Sequence, residues 1–301
     1  WLLGAGVRWG AVSIEQELML QESQCRKQLF EFRQSTIIRV LTMQEMPFYW
    51  SHGGERNDLI FCMHGIGSCA DAFLAQRGVA DLLKCRLVAW DAPGYRYSAD
   101  PKNEPGIDGW ADAAADLIRS LGCERSIVLG VSWGGVTATR LALRHPDLVD
   151  ALILADSSVG SGTSSKNAEA MRGRASSLSD LGATEFAKQR APLLVGEKTD
   201  PEVLEDVRRL FADSIRMPAY QWACNSMADT DHRDSLSAIE APTLVICGEE
   251  DRVTPPKLSA QLAEGIPNSR LVHIKDAGHL ANQEKSEKFN SEVFEFIQSI
   301  S

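Results

Sequence analysis

The segment Gly130-Val131-Ser132-Trp133-Gly134-Gly135 separates two stretches of different pattern. Residues 126–129, Ser-Ile-Val-Leu, form a short apolar run that is typical of a buried strand. Residues 136–143, Val-Thr-Ala-Thr-Arg-Leu-Ala-Leu, carry apolar positions at helical spacing. The sequence therefore predicts a strand, a tight turn and a helix, with Ser132 in the turn.

A serine in such a turn takes a strained backbone conformation, which requires very small neighbours where the strand and the helix approach each other. Gly130 and Gly134 meet this requirement. The Ser132 hydroxyl would then lie at a helix N-terminus, where N–H groups and the helix dipole favour the negative charge of an acyl-transfer intermediate. The pattern G-x-S-x-G is weak alone, but between a strand and a helix it indicates a nucleophile elbow.

Length and composition limit the possible number of domains and the possible binding partners. The chain has 301 residues, of which 44% are hydrophobic and 24% charged, enough for one large α/β domain with an insertion. Its formal net charge of -10 gives no electrostatic support for binding nucleic acid or anionic membranes. Small neutral substrates fit this charge better.

The cysteine pattern and the lengths of the apolar runs bear on the cellular compartment of the protein. Seven cysteines are present, without a C-x-x-C pair or a metal-ligand spacing with histidine, so we expect buried free thiols and neither a metal nor a cofactor. Cys69 alone lies near a predicted site loop and is the one to check for reactivity. No clear secretory signal and no run of about 18 apolar residues is found, which favours a cytoplasmic protein.

The N-terminal part is predicted to form an extension over residues 1–35. Apolar residues at helical spacing over 13–35 predict an amphipathic helix, packed on the domain surface or forming a homodimer contact. Residues 36–42 and 46–51 then read as two strands, followed by the polar turn 52–54.

Six further apolar runs alternate with helix-like stretches. They are residues 59–63, 86–90, 126–131, 151–155, 243–247 and 270–274. Continuous apolar strands that alternate with helices predict an α/β fold with a mostly parallel central sheet flanked by helices.

The connection between the runs 151–155 and 243–247 is far longer than the few residues usual in such folds. We therefore expect a helical cap over residues 157–235, inserted into a core made of residues 36–156 and 236–301. Helical patterns cover 169–178, 184–194, 201–215 and 218–227. The cap is expected to lie over the catalytic edge and to favour compact, largely uncharged substrates. Periodicity leaves open which of its large apolar side chains line the pocket: Met171, Phe186, Leu193, Met217, Trp222 and Met227.

A serine hydroxyl needs a base, and the base needs a carboxylate that fixes its tautomer. His279 lies in the turn after the run 270–274, and Asp251 lies in the turn after the run 243–247. In a parallel sheet these turns share an edge with Ser132. Asp156, directly after the run 151–155, is a second candidate acid that position alone does not exclude, although an aspartate at the entry of a Ser/Gly-rich linker often serves as a turn or cap residue.

The glycine-rich segment His64-Gly65-Ile66-Gly67-Ser68 follows the first buried strand run. Such a turn lets backbone N–H groups point into a site, so the N–H of Ile66 and the N–H of Trp133 form a predicted oxyanion hole. His64 braces this loop or contacts the substrate.

Together these motifs resemble the α/β-hydrolase superfamily over residues 48–300. The resemblance rests on HGIGS, DAPGYRYS, GVSWGG, GEEDRVTP and AGHLAN, at 64–68, 91–98, 130–135, 248–255 and 277–282. Residues 220–224, 229–231, 241–245 and 279–282 are similar to the 3-oxoadipate enol-lactonase-like branch. The resemblance implies the α/β-hydrolase fold, the triad order Ser132, Asp251, His279 with Asp251 as the favoured acid, and a serine hydrolase that cleaves a small carboxylic ester or lactone through an acyl-enzyme.

One position departs from the family pattern. Arg96 stands where the family loop D-x-x-G-x-G-x-S has its second glycine, so the turn must change if a positive φ is needed there. Arg96 is either a solvated loop residue or a contact for a substrate carboxylate, and Trp222 of the cap is a further candidate substrate contact.

The same fold also supports other functions. Carbon-carbon bond hydrolases of the meta-cleavage type share the triad, but they tend to carry Asn before the nucleophile and Trp after the histidine, where this chain has Val131 and Leu280. Dehalogenases and epoxide hydrolases of this fold use an aspartate nucleophile, which Ser132 argues against. A non-catalytic ligand receptor is the alternative from another class, and turnover of a chromogenic ester would separate it from an enzyme.

Overall fold

The computed structural model describes residues 46–54, 58–123 and 125–300. Its strands form one seven-stranded sheet. They are β1 (Tyr49–Gly53), β2 (Leu59–Met63), β3 (Arg86–Trp90), β4 (Ser126–Val131), β5 (Val149–Ala155), β6 (Thr243–Gly248) and β7 (Ser269–Ile274). The order across the sheet is β1-β3-β2-β4-β5-β6-β7.

The predicted mostly parallel sheet is confirmed. Strand β1 pairs antiparallel with β3, and the remaining neighbours pair in parallel. Every residue of β2 and β6 is buried, because helices pack on the sheet and leave these strands no solvated face. The carboxyl ends of β4, β6 and β7 therefore meet at one edge, where the predicted site residues follow them.

The first strand differs from its prediction. The pattern predicts a strand over 46–51 and a polar turn over 52–54, whereas β1 begins at Tyr49 and continues through His52 and Gly53. The reason is pairing, since Gly53 still aligns with Arg86 of β3. The helix predicted over 13–35 and the strand predicted over 36–42 lie outside the described residues.

The α-helices of the described ranges follow the strands in alternation. They are α1 (Arg77–Leu83), α2 (Gly106–Ser120), α3 (Trp133–Arg144), α4 (Ser165–Arg190), α5 (Pro201–Ser214), α6 (Ala219–Asp229), α7 (Pro256–Gly265), α8 (Ala281–Glu284) and α9 (Ser286–Ile300). Short 3-10 helices cover Ala70–Gln76, Pro146–Leu148, Ala191–Leu193 and Leu236–Ala238. Over these ranges, no helix has the length and apolar character needed to cross a membrane.

The long connection between β5 and β6 contains α4, α5 and α6, and α4 packs on both of the others. Helix α4 is interrupted at Gly182, whose φ of 73° and ψ of 163° are not helical. This interruption separates the two helical patterns at 169–178 and 184–194. We call residues 157–235 the insertion.

Candidate active site

Ser132 occupies a strained turn between β4 and α3. Its φ of 56° and ψ of -118° lie in a region that a residue with a side chain rarely adopts. The turn is held because the Ser132 N–H donates to the Ala155 carbonyl at 2.9 Å and the Ser132 carbonyl accepts from the N–H groups of Gly135 and Val136. The hydroxyl consequently stands at the N-terminus of α3, as the elbow pattern predicts.

The approach of α3 to the sheet leaves no room for a side chain at Gly134. A Cβ built there would lie 2.0 Å from the carbonyl oxygen of Met63 and 2.6 Å from that of His64. Since both obstacles are backbone atoms, the strand and the helix would have to separate.

We expect Gly134→Ala to lower the free energy of unfolding by about 3 kcal/mol, because overpacking against backbone cannot be relieved by a rotamer change. Urea denaturation of the purified variant measures this change. Gly173→Ala is the matched control, since a Cβ in this exposed position of α4 meets no atom within 4 Å. Equal stability of the two variants would contradict the packing argument.

Ser132, His279 and Asp251 are joined by two hydrogen bonds. The Ser132 hydroxyl lies 2.9 Å from Nε2 of His279, and Nδ1 of the same ring lies 2.9 Å from Oδ2 of Asp251. All three residues are buried. Because the carboxylate can only accept, Nδ1 carries the ring proton and Nε2 is left to accept from the serine.

Asp251 is fixed by its own turn. Its Oδ1 accepts from the N–H groups of Val253 and Thr254, and its Oδ2 accepts from the Thr254 hydroxyl at 2.7 Å. Burial alone would raise the pKa of this carboxyl, but the interactions with His279 and Thr254 outweigh burial and lower it. Asp251 is therefore ionised where it faces the imidazole.

Asp156 has a different set of partners. Its Oδ1 accepts from the Gly248 N–H at 2.8 Å, and its Oδ2 accepts from the Ala281 N–H at 3.1 Å. Burial and the nearby Asp251 raise its pKa well above the usual range, since carboxylate oxygens of the two residues lie within 4.8 Å. Asp156 thus fixes the turns that carry Asp251 and His279, while Asp251 makes the contact with the imidazole.

The predicted oxyanion donors lie on two segments beside Ser132. A Cβ on Gly65 would lie 3.3 Å from the Ser132 Cβ, so the loop at 64–68 passes directly over the serine. Ile66 and Trp133 line a cavity together with Ser132. Within the described ranges, neither the Ile66 N–H nor the Trp133 N–H has a protein acceptor. Both are free to donate to a bound oxyanion.

His64 holds this loop in place. Its Nδ1 lies 2.8 Å from the Gly65 carbonyl and its Nε2 accepts from the Ala92 N–H at 2.9 Å. Burial lowers the pKa of His64 to about 4, so the ring is neutral. The alternative that His64 contacts the substrate is not supported, because both ring nitrogens are used within the protein and the side chain is enclosed.

Among the described residues, two cavities adjoin Ser132 and share Ile66 and Arg174 in their walls. One measures about 30 Å³ and also contacts His279, and the other measures about 690 Å³ and extends under the insertion. Of the apolar side chains whose position periodicity left open, three line the larger cavity: Met171, Leu193 and Met227. Phe186 packs instead against Phe211 and Tyr220.

Comparison with known proteins identifies the family of this chain. A family model described as the alpha/beta hydrolase fold matches residues 58–286, which is well over half of the chain. The chain belongs to the α/β hydrolase family. The resemblance inferred from the motifs is therefore confirmed.

Relatives of this α/β hydrolase carry several names. A 2-hydroxymuconate semialdehyde hydrolase of Pseudomonas putida is 30% identical, over 70% of this chain and 76% of the relative. The 3-oxoadipate enol-lactonase 2 of Acinetobacter baylyi is 28% identical, over 69% of this chain and 76% of the relative. A thermophilic esterase structure from Thermogutta terrifontis, with malate bound, superposes with a TM-score of 0.77 at 26% identity, over 84% of this chain and 93% of that chain.

The loop that departs from the α/β hydrolase pattern keeps the pattern's backbone shape. Arg96 has a φ of 39°, in the region that favours glycine. Its guanidinium forms an ion pair with Asp71 at 2.7 Å and reaches Cys69 Sγ at 3.2 Å. Neither sequence expectation for Arg96 fits, because the side chain is only 10% exposed and its carboxylate partner belongs to the protein itself.

Trp222 and Cys69, two other residues singled out in the sequence, line neither cavity beside Ser132. Trp222 is half-buried against the apolar core. Cys69 is buried, and burial raises the pKa of its thiol to about 11, so its thiolate is scarce at neutral pH. The six cysteines of the described residues are free and buried, as expected.

The insertion is fastened to the turn that carries His279. The His279 N–H donates to the Leu194 carbonyl at 2.9 Å, and the Gly196 N–H donates to Glu284 Oε2 at 2.7 Å. Glu284 also accepts from the Gly278 N–H through Oε1. The position of the His279 backbone therefore depends on residues of the insertion.

Proposed function

We propose that this α/β hydrolase is a serine hydrolase that cleaves a small carboxylic ester or lactone through an acyl-enzyme. The observation that carries the proposal is the hydrogen-bonded chain from Ser132 through His279 to Asp251, with the serine raised on its strained turn. An isolated serine hydroxyl would not be activated, whereas this order of groups provides a base and a carboxylate that orients it.

In the proposed reaction, Ser132 Oγ attacks the carbonyl carbon of the substrate and its proton passes to His279 Nε2. The negative charge on the carbonyl oxygen is stabilised by the N–H groups of Ile66 and Trp133. Collapse breaks the ester bond, and the leaving alkoxide takes the proton from His279. Water then attacks the acyl-enzyme with His279 as base, which releases the acid and regenerates Ser132.

The insertion acts as a cap in this proposal. Residues of α4 and of the linker before it line the larger cavity together with Ser132. A cap over this cavity would exclude bulk water while the acyl-enzyme forms, which strengthens the electrostatic interactions in the site. The partner is accordingly a small molecule that fits beneath the insertion.

A carbon-carbon bond hydrolase is the second candidate, because two of the similar proteins are named 2-hydroxymuconate semialdehyde hydrolase and 2-hydroxy-6-oxononadienedioate hydrolase. Against it stand Val131 before the serine and Leu280 after the histidine, where such enzymes tend to carry Asn and Trp. Leu280 is buried and lines the smaller cavity beside Ser132. The replacement of both Asn and Trp at these positions favours ester or lactone cleavage.

We expect a burst of 4-nitrophenol on mixing the enzyme with a short-chain 4-nitrophenyl ester, because acylation of Ser132 precedes the slower release of the acid. Stopped-flow absorbance measures the burst, and mass spectrometry of quenched samples locates the acyl group on the Ser132 peptide. No turnover above the buffer rate and no adduct would support a ligand receptor. Faster cleavage of a vinylogous 1,5-diketone than of any ester or lactone would support the second candidate.

A further inference from the structure

The larger cavity beside Ser132 is strongly cationic, although the whole chain carries a net charge of -10. Four arginines lie in its wall, namely Arg174, Arg190, Arg233 and Arg252. Among the described residues that line it there is no Asp or Glu. The charge of the substrate space is therefore opposite to that of the protein as a whole.

Two of these arginines are already engaged. Arg233 forms an ion pair with Asp231 at 2.5 Å. Arg252 donates to the carbonyl oxygens of Pro192 and Val195, at 3.1 and 3.0 Å. Both guanidinium groups thus have protein partners that account for their positions.

Arg174 and Arg190 lack such partners. Within the part of the chain that the structure describes, neither has an Asp or Glu within ion-pair distance, and the Nε of each is buried without an acceptor. Nη1 of Arg174 donates to the Met171 sulfur at 3.5 Å, and its guanidinium interacts with the neutral Tyr220 side chain, whose ring centre lies 5.9 Å away. A thioether and an aromatic ring are weak partners for a half-buried cation.

The surroundings of the pair do not supply a counter-charge. Burial raises the pKa of Tyr220 above its usual range and that of Cys224 to about 11, so both are neutral at pH 7. Burial and then repulsion by Arg174 lower the pKa of Arg190. Two neighbouring, partly buried cations without an anion repel each other, and a bound anion would remove both the repulsion and the unmet hydrogen bonds of the buried Nε groups.

We propose that the substrate carries an ionised carboxylate, separate from the bond that is cleaved, and that Arg174 and Arg190 bind it. The proposal rests on the proposed function, since it places the reactive carbonyl at Ser132. Arg174 lines both cavities that contain Ser132, so a short substrate reaches the pair and the serine together. Guanidinium groups bind carboxylates through paired hydrogen bonds, which orients the substrate as well as holding it. This substrate class replaces the largely uncharged one expected from the net charge.

The test compares two esters of nearly equal size, the mono-4-nitrophenyl ester of adipic acid and its methyl ester, which has no free carboxylate. We expect the protein to prefer the acid in kcat/KM. Arg174→Gln and Arg190→Gln should each reduce kcat/KM for the acid by roughly 10- to 100-fold, mainly through KM, because each removes a charge-assisted hydrogen bond. Arg174→Lys, which keeps the charge, should retain more of the preference. Equal kcat/KM for the two esters in the unaltered protein would overturn the proposal and leave the esterase function standing.

Arg172→Gln is the matched control. Arg172 lies on the same helix, but it is exposed and paired with Asp229. Removing it changes the net charge equally and should leave the preference for the acid intact. If Arg172→Gln abolished the preference as fully as Arg174→Gln, a long-range effect of charge would explain the result and the subsite would be refuted.

A binding measurement separates this proposal from the proposed function. Calorimetric titration of Ser132→Ala with adipate requires no turnover, and we expect binding that is lost when Arg174→Gln or Arg190→Gln is added. Loss of binding in these variants, even if no ester were cleaved, would support the subsite while the proposed function failed. Adipate binding that survives both arginine replacements would overturn the subsite.

Discussion

Ser132→Ala is expected to lower kcat for a 4-nitrophenyl ester by about 10⁴- to 10⁶-fold while the protein stays folded, as losses of a triad nucleophile do. The Ser132 hydroxyl is the atom within 2.9 Å of His279 Nε2, and alanine removes the group that forms the acyl-enzyme. The residual rate would come from binding and from the oxyanion donors. Stopped-flow and steady-state assays on the same protein measure the loss.

The control for this variant is Ser177→Ala, which removes an exposed hydroxyl from α4. Thermal melts should show both variants folded, because neither change creates a buried cavity or an unpaired charge. Near-normal esterase activity in Ser132→Ala, purified free of host esterases, would contradict the assignment of the nucleophile.

Asp251→Asn is expected to cost roughly 10⁴-fold in kcat with the fold retained. The carboxylate accepts the Nδ1 proton of His279 at 2.9 Å, whereas an amide can present N–H groups there and stabilise the wrong ring tautomer. His279 would then direct a proton toward Ser132 and could not accept one. The pH dependence of kcat and the thermal stability of the variant should be recorded together.

Asp156→Asn is the matched comparison, since it makes the same replacement at the neighbouring buried carboxyl. The amide keeps one acceptor for the two N–H groups of Gly248 and Ala281, so we expect a loss of about 1 kcal/mol in stability and a far smaller loss in activity. At matched folded fraction, the reverse ranking of Asp251→Asn and Asp156→Asn would reassign the acid to Asp156.

The fold and three residues of the site could be predicted because the signals are local. Ser132, Asp251 and His279 each follow a continuous apolar strand, and parallel strands bring such turns to one edge. The choice between Asp251 and Asp156 is harder, because both turns meet there and only the side-chain contacts separate the two carboxyls. The structure does so by directing Asp156 to two backbone N–H groups.

The positions of Arg174 and Arg190 in a cavity wall could not be predicted from the sequence. Arg174 and Arg190 lie in a helix with a polar sequence, where a charged residue normally indicates a solvated face. The negative net charge predicts neutral substrates. The net charge of a whole chain, however, does not give the charge of one cavity wall. Arg96 presents the same difficulty, since its carboxylate partner Asp71 is distant in sequence and becomes a neighbour only in the folded loop.

The bonds between the insertion and the His279 turn constrain how this enzyme could be recombined with its relatives. A chimera that exchanged residues 157–235 alone would remove the Leu194 carbonyl and the Gly196 N–H from their partners, His279 and Glu284. The donor helices could fold correctly and still leave the imidazole displaced from the serine. A chimera that is to take over the specificity of a relative and remain active would therefore need the segment from Gly278 to Glu284 and the helices from the same relative.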